Sequence, residues 1–517
     1  MDWTSGYASD IEYVNGYYRE QNPSFLNFVC VLNGIEPVRL DQGFSYFELG
    51  FGRGFTLNML AACYPQAQFY GADFNPAHVV GAQELSRSVG LDNIQFLENS
   101  FEELATGQGP ELQQFDFIAL HGIYTWVTAL NRQHIVNFIA RYLKPGGIVY
   151  VSYNAMPGWA SALPLQRLFV EHADLHPARS DLQMNAAITF ASQLKDANAA
   201  YFLQNGVLEA RMAGVKTANV HYLVHEYMHK HWQPLYHADV ARDMAPAKLN
   251  FAGSAELSMT YENLYLTPER KEALAQISDL SFRETLKDFC LNTAFRKDVY
   301  VRGARTLPAS RREELLREYS LGLLVPRAEV KYEMKLLVGE VSTTEALYAP
   351  VVAALERQAS SLAELGQLPE LGAINGSGMG QIAALLTAAN YTEICWRGEL
   401  GDNRRAVEKL NQFVAQQTRF GDEFQNLASP VLRSAVSASF VERLLYKVMS
   451  ENKREAFEPD FTRLIAQTQA VLLESGRVLL HEGAAITDPE DVRKELEIQV
   501  GAFFEKKLPI WRQLGIV

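Results

Sequence analysis

The stretch Tyr46-Phe47-Glu48-Leu49-Gly50-Phe51-Gly52-Arg53-Gly54-Phe55-Thr56-Leu57-Asn58 decides the fold. A β-rich apolar run ends in an acidic residue, three glycines follow at alternate positions, and a helix-forming segment begins at once. Glycines so spaced let the backbone turn sharply after a strand and approach a ligand closely. The spacing is G-x-G-x-G, not the G-x-G-x-x-G of dinucleotide binders, and Glu48 sits on the strand rather than beyond it. That variant suits S-adenosylmethionine (AdoMet), whose cationic methionine end needs an anionic strand end and which has no phosphates to rest on a helix N-terminus. Glu48, Gly50, Gly52 and Gly54 are therefore expected to bind that cofactor.

Working outward, apolar runs at Phe44–Leu49, Gln68–Ala72, Ile94–Leu97, Phe115–Leu120 and Gly147–Tyr153 alternate with helix-length segments. This order predicts an α/β fold with a Rossmann-like, doubly wound parallel sheet. Asp73, followed by Phe74, ends the second run roughly 20 residues past the glycines, where a carboxylate can accept hydrogen bonds from ribose hydroxyls. The same aspartate could instead cap the helix that starts near Pro76. The pattern over 160–218 is helical and reads as an insertion over the sheet's carboxyl edge, a lid or subunit contact. Residues 219–262 read as a return to the sheet. A mainly helical half follows, with a middle segment over 263–345, a winged-helix-like module over 346–400, where helix, turn, helix and strand succeed one another, and a helical domain over 401–517.

Composition narrows the function classes. At 517 residues the chain exceeds one core, and its 48% hydrophobic share is that of an ordered globular protein. With 47 basic against 60 acidic residues, a net charge of −13 disfavours nucleic acid as partner; the winged-helix-like module therefore reads as a protein contact. Cys30, Cys63, Cys290 and Cys395 are scattered with no C-x-x-C, which points away from a disulfide framework or zinc knuckle and towards a reducing cytoplasm. There is no secretory leader pattern and no run of about 18 apolar residues, so no membrane association is expected.

Two further phrases carry a resemblance: Phe115-Asp-Phe-Ile-Ala-Leu-His121-Gly-Ile-Tyr124-Thr-Trp126-Val and Val149-Tyr-Val-Ser-Tyr153-Asn154-Ala-Met-Pro157-Gly158-Trp159. At these residues the chain resembles the bacterial class I methyltransferases that carry a methyltransferase regulatory domain, a group that includes rickettsial protein-lysine methyltransferases. Tyr222-Leu-Val-His-Glu-Tyr227, Phe251-Ala-Gly-Ser-Ala255, Arg296-Lys-Asp-Val-Tyr-Val-Arg302 and Leu427-Ala-Ser-Pro430 extend the likeness over nearly the whole chain. The resemblance implies AdoMet-dependent methyl transfer to a protein side chain, a homodimer formed partly through the insertion, and an N-terminal lid carrying Tyr13 and Tyr17. Phe51 stands where the family often has a small residue, and Arg53 where it often has an acid. After the third strand, Asn99, Ser100 and Phe101 replace the usual aspartate, so adenine would be held by a hydroxyl or by backbone, with Phe101 against the ring.

Methyl transfer from sulfonium to nitrogen is an in-line displacement needing alignment and a free lone pair, with no metal. A lysine acceptor, with a pKa near ~10.4, must first lose a proton, which a partly desolvated aromatic channel favours. Tyr124, Trp126, Tyr153 and Trp159 are expected to supply that channel, with core packing as the alternative for each. His121, directly after the fourth strand, would contact the cofactor or relay a proton, or serve as a buried structural histidine. Asn154 would orient an amine or amide, or close a strand-end turn. Lysine is the expected acceptor in a protein or peptide; an asparagine or glutamine amide, or a small molecule, remains open. His225-Glu-Tyr-Met-His229 matches the zinc-hydrolase H-E-x-x-H, but the third ligand of neither common extension follows, and no metal is expected. A non-catalytic adaptor is a further alternative, against which the intact Glu48, glycines and Asp73 argue.

Overall fold

The computed structural model describes Asp10 and residues 15–451, 461–481 and 484–517. Five parallel strands, β1 (Ser45–Leu49), β2 (Gln68–Asp73), β3 (Ile94–Glu98), β4 (Phe115–Leu120) and β5 (Leu143–Asn154), are joined by β6 (Leu249–Ser254) and β7 (Phe295–Arg302) in a seven-stranded sheet of order 3-2-1-4-5-7-6, in which β7 pairs antiparallel with both β5 and β6. The strand order reverses between β1 and β4, and the carboxyl ends beside that switch point form the crevice where such sheets bind ligands. β1 is buried along its whole length, as its unbroken apolar run requires of a central strand covered on both faces.

Helices α1 (Pro23–Leu32), α2 (Phe55–Cys63) and α3 (Pro76–Val89) cover one face; α4 (Phe101–Thr106) and α5 (Ala129–Tyr142) cover the other. The cap of α3 is Asn75, whose side chain accepts from Ala77 N–H at 3.0 Å, so Asp73 is released from that duty. The insertion folds as α6 (Leu163–Leu175), α7 (Ser180–Asp196), α8 (Ala200–Leu203) and α9 (Val207–Thr217), with a hydrophobic cluster of its own around Trp159, Phe169 and Met212. The chain then passes through α10 (Val220–Tyr227) and α11 (His237–Met244) back to the sheet.

The return does not stop at residue 262. The segment expected to belong to a helical middle domain contains β7, which lies between β5 and β6 in the sheet. Its sequence, Arg296-Lys-Asp-Val-Tyr-Val-Arg302, hides a strand among charges. Arg296 and Asp298 are fully buried on one face and neutralise each other, with Arg296 Nε 3.0 Å from Asp298 Oδ1 and its Nη1 2.8 Å from Asp288. Buried ions in a strand are tolerated only when paired in this way.

The C-terminal half is mainly helical, with a three-stranded sheet that joins Tyr319–Leu323, Ser360–Ser361 and Thr392–Trp396. It is not a loose appendage. All residues of α2 are buried because the helix Arg404–Gln417 packs on its outer side, and Asn403 and Arg433 both donate to the carbonyl of Cys63 at the end of α2, at 3.1 and 2.7 Å. No helix among the described residues is long and apolar enough to cross a membrane.

Candidate functional site

A cavity of about 460 Å³ opens at the carboxyl ends of β1, β2, β3 and β4, above the glycine turn. Gly50, Gly52 and Gly54 all have positive φ, at 69°, 58° and 70°. Two of them also lack room for a side chain: a Cβ on Gly50 would lie 2.7 Å from Ile123 Cδ1, and one on Gly54 2.6 Å from Ala82 Cβ. Gly52 N–H donates to Asp73 Oδ2 at 2.9 Å, so the carboxylate that ends β2 also fixes the turn that follows β1. Asp73 Oδ1 accepts from Asn75 N–H at 2.9 Å and faces His78 Nδ1 at 3.3 Å.

Glu48 lies beneath this turn, 4% exposed, with Oε2 buried and bonded to nothing among the described residues. Burial pushes its carboxyl up to about 8; a hydrogen bond with Gln21 works the other way and nearby Asp73 adds to the rise. A buried acid with an open oxygen beside a ligand-sized cavity fits a cationic group, and the side-chain-free glycine cradle fits a ligand laid across the backbone. These are the two requirements AdoMet makes at this end of the site. At the other end Phe101 approaches Gly50, and Asn99 and Ser100 line the wall. The Ser100 hydroxyl is committed to a capping box, accepting from Glu103 N–H at 3.2 Å and donating to its carboxylate at 3.1 Å.

Residues 40–229 match a methyltransferase-domain family, and residues 219–302 a "predicted methyltransferase regulatory domain" family. A Synechocystis protein, the uncharacterized protein sll1526, is 35% identical over 517 residues and the alignment covers 100% of both chains. This chain belongs to the class I methyltransferases with a regulatory domain. Its fold is similar to that of PKMT2 from Rickettsia typhi, solved in complex with AdoHcy, with a TM-score of 0.70 at 17% identity, covering 97% of this chain and 99% of that one. The uncharacterized protein RP789 of Rickettsia prowazekii is 26% identical over 289 residues, 56% of this chain and 51% of that one. The methyltransferase uses AdoMet, and its glycine turn, Glu48, Asp73, Phe74, Asn99, Ser100, Phe101 and His121 all line the one cavity.

The methyltransferase places several other expected site residues elsewhere. Tyr153 is fully buried and donates to Asp298 at 2.6 Å, away from the cavity. The reason is the period of a strand: Tyr150 and Ser152 point to the cavity side, where they hold His121, so Tyr153 points to the opposite face. Tyr124 is fully buried as well, donating to Asp243 of α11 at 3.0 Å. Trp159 packs inside the insertion, with Trp232 4.7 Å away and the Arg211 guanidinium 3.9 Å above its ring. Tyr17 bonds Ser434 of the C-terminal half at 2.8 Å and does not line the cavity. Tyr13 falls outside the described residues. Asn154 does not line the cavity either; its amide donates to Glu226 at 3.1 Å beside it.

Of the aromatic residues expected at the acceptor side, Trp126 remains on the wall, stacked on His229 at 5.2 Å. His121 lines the cavity with Nδ1 2.9 Å from the Tyr150 hydroxyl and 3.1 Å from that of Ser152. Burial lowers its pKa to about 4, with Glu20 acting against the drop and Lys297 adding to it, so the imidazole is neutral at physiological pH. Tyr18 is the residue that the sequence reading missed: it lines the cavity and stacks on His121 with ring centroids 3.8 Å apart. Its neighbour Tyr17 carried the family spacing, and nothing in one sequence says which of two adjacent tyrosines faces inward. Arg53, a departure from the family pattern, forms an ion pair with Glu423 of the C-terminal half at 2.8 Å. Phe51 packs on Phe96 with ring centroids 4.9 Å apart, filling the space beneath the turn.

The H-E-x-x-H phrase does not lie on one helix as the zinc-hydrolase motif does. α10 ends at Tyr227, before the second histidine, and both His225 and His229 are buried. Among the described residues no group of three or more His, Cys, Asp or Glu is placed to hold a metal ion.

Proposed function

We propose that this methyltransferase transfers the AdoMet methyl group to a side-chain amine of a protein or peptide, with lysine as the acceptor. The observation that carries the reading is the state of the acceptor wall. An amide nitrogen, its lone pair delocalised into the carbonyl, is a poor nucleophile even beside a carboxylate and needs a clamp on that carbonyl; the groups expected to act so were His121, Tyr124 and Asn154. Tyr124 and Asn154 stand off the cavity wall, and His121 is a weak base with a pKa lowered to about 4. An amine needs no clamp on a carbonyl. It requires loss of one proton, alignment, and an aromatic surround that tolerates a methylammonium product, and Tyr18 and Trp126 supply that surround. The likeness to rickettsial protein-lysine methyltransferases supports the same acceptor.

Transfer of isotope-labelled methyl from AdoMet into host lysate proteins, followed by mass spectrometry, tests this directly. Label on lysine is the expected result. Label on asparagine, glutamine or a small molecule refutes it.

A further inference from the structure

We infer that Glu226 and Asn154 form the seat for the protonated acceptor amine, and that Glu226 takes the proton the amine must lose. The inference rests on the amine reading above and adds to it a binding site and a base.

Glu226 lies in α10, in the stretch matched by the regulatory-domain family. Its Oε1 accepts from Asn154 Nδ2 at 3.1 Å. Asn154 closes β5 on the side of the strand that carries Tyr150 and Ser152, the two residues that hold His121. Its own N–H donates to Thr125 Oγ1 at 3.3 Å, next to Trp126 on the cavity wall. Trp126 stacks on His229, three residues beyond Glu226. One helical turn before Glu226, Tyr222 is 43% exposed; burial pushes its phenol up to about 12, and the Glu226 carboxylate adds to the rise. The carboxylate is thus joined through Asn154 and Thr125 to the chain beside Trp126 on the cavity wall, with the exposed Tyr222 one turn away on its own helix.

What marks this carboxylate is the cation it lacks. Asp288 and Asp298 are matched by Arg296 and Glu20 by Lys297, whereas Glu226, like Glu48 in the cofactor cavity, has no such partner among the described residues. Among the described residues no lysine or arginine forms an ion pair with Glu226. Arg211, whose charge reaches it, lies over the Trp159 ring and donates to the Tyr227 hydroxyl at 3.2 Å. A largely desolvated carboxylate without a counter-ion is costly, and burial raises this one to about 7, against the bond from Asn154 and the field of Arg211. An alkylammonium bound beside Glu226 and Asn154 supplies the missing charge.

The proton balance is then complete. Glu226 accepts a proton from the ammonium, leaving a neutral amine with a lone pair. The nitrogen forms a bond to the methyl carbon while the carbon–sulfur bond breaks, its electron pair going to sulfur. The product is a methylammonium ion, and Glu226 returns its proton to solvent. At pH 7 a free lysine with a pKa near ~10.4 is deprotonated in roughly one molecule of 2,500, so the bound ammonium needs an acceptor for its proton within the site.

The test uses the full chain and Glu226→Gln, which keeps an acceptor for Asn154. In calorimetry with S-adenosylhomocysteine present, wild type should bind n-butylammonium better than its neutral isostere n-butanol by about tenfold or more, and the variant should lose that difference while keeping wild-type AdoMet affinity. Equal discrimination in the two proteins overturns the seat. For labelled transfer into lysate proteins, the variant should be slower at pH 7 by about a hundredfold or more, with a rate that climbs roughly tenfold per pH unit up to pH ~9.5, whereas wild type levels off above pH ~8. A variant rate within threefold of wild type with the same pH profile overturns the base. If Glu226→Gln loses AdoMet affinity, Glu226→Asp replaces it, with partial recovery of amine discrimination expected and none overturning the inference. Wild-type label on a residue other than lysine defeats the amine reading itself, an outcome distinct from either failure above.

Discussion

Glu48→Gln keeps the shape of the strand-end side chain and removes its charge. Burial holds the Glu48 carboxyl at about 8 in the cofactor-free protein, against an ordinary 4.5. At pH 7 it is therefore protonated in roughly nine molecules of ten, and ionising it costs about 1.4 kcal/mol, or a factor of about ten in the affinity for a cationic ligand. The amino group of AdoMet stays charged below its own pKa of about 8. Between pH 6 and 7.5 the wild-type Kd for AdoMet should thus fall roughly tenfold per unit of rising pH, with about 0.9 proton released per molecule bound at pH 7. Calorimetry in two buffers of different ionisation enthalpy counts that proton. Stability carries the opposite slope. A carboxyl whose folded pKa exceeds its unfolded value stabilises most below pH 4.5 and loses that contribution as pH rises towards 8, up to about 5 kcal/mol over the window. Saturating AdoMet should flatten this loss, and Glu48→Gln should abolish both the slope and the proton release. A wild-type Kd that stays flat from pH 6 to 7.5, with no proton released, refutes the role given to Glu48.

Three other substitutions probe the rest of the site. Asp73→Ala removes a carboxylate that lines the cofactor cavity and is the partner of Gly52 N–H, and should weaken AdoMet binding by about a hundredfold or more in calorimetry, in keeping with the loss of charge-assisted bonds worth ~1.5–3 kcal/mol each; wild-type affinity would remove Asp73 from the site. Gly54→Ala sets a Cβ 2.6 Å from Ala82 at a φ of 70°, so thermal unfolding should show a destabilisation of roughly 1–3 kcal/mol, with weaker AdoMet binding. A melting curve and Kd matching wild type would count against the tight approach of that turn to α3. Tyr153→Phe strips a hydroxyl from the buried network of Asp298, His237 and Arg296 and should lower stability by about 1–3 kcal/mol with AdoMet affinity unchanged; a large drop in transfer rate at wild-type stability would return Tyr153 to the reaction.

Much of the sheet was legible because strands covered on both faces leave continuous apolar runs, and the runs ending at Leu49, Leu97 and Leu120 became β1, β3 and β4 with little change. β7 was not legible. Its alternation is carried by Arg296 and Asp298, which read as surface residues until the fold pairs them in the interior. The cofactor side of the cavity was legible for a related reason: glycine at positive φ and an acid at a strand end are local requirements, met within a few residues of one another. The acceptor side depends on which way a side chain points from a long strand and on what a distant helix brings to it. Tyr153 and Ser152 differ by one position and face opposite sides, Tyr18 rather than Tyr17 reaches His121, and Glu226 meets Asn154 across 72 residues of sequence.

The sequence by itself determined the cofactor loop, the parallel sheet and the family, because each is written in short-range chemistry: backbone freedom at Gly50, Gly52 and Gly54, charge at Glu48 and Asp73, and the period of buried strands. Only the tertiary structure decided that Glu48 is a buried acid with an open oxygen, that His121 is neutral, and that the glutamate of a metalloprotease-like phrase bonds Asn154 and forms no ion pair among the described residues. Those are properties of desolvation and of long-range neighbours, and packing alone sets them.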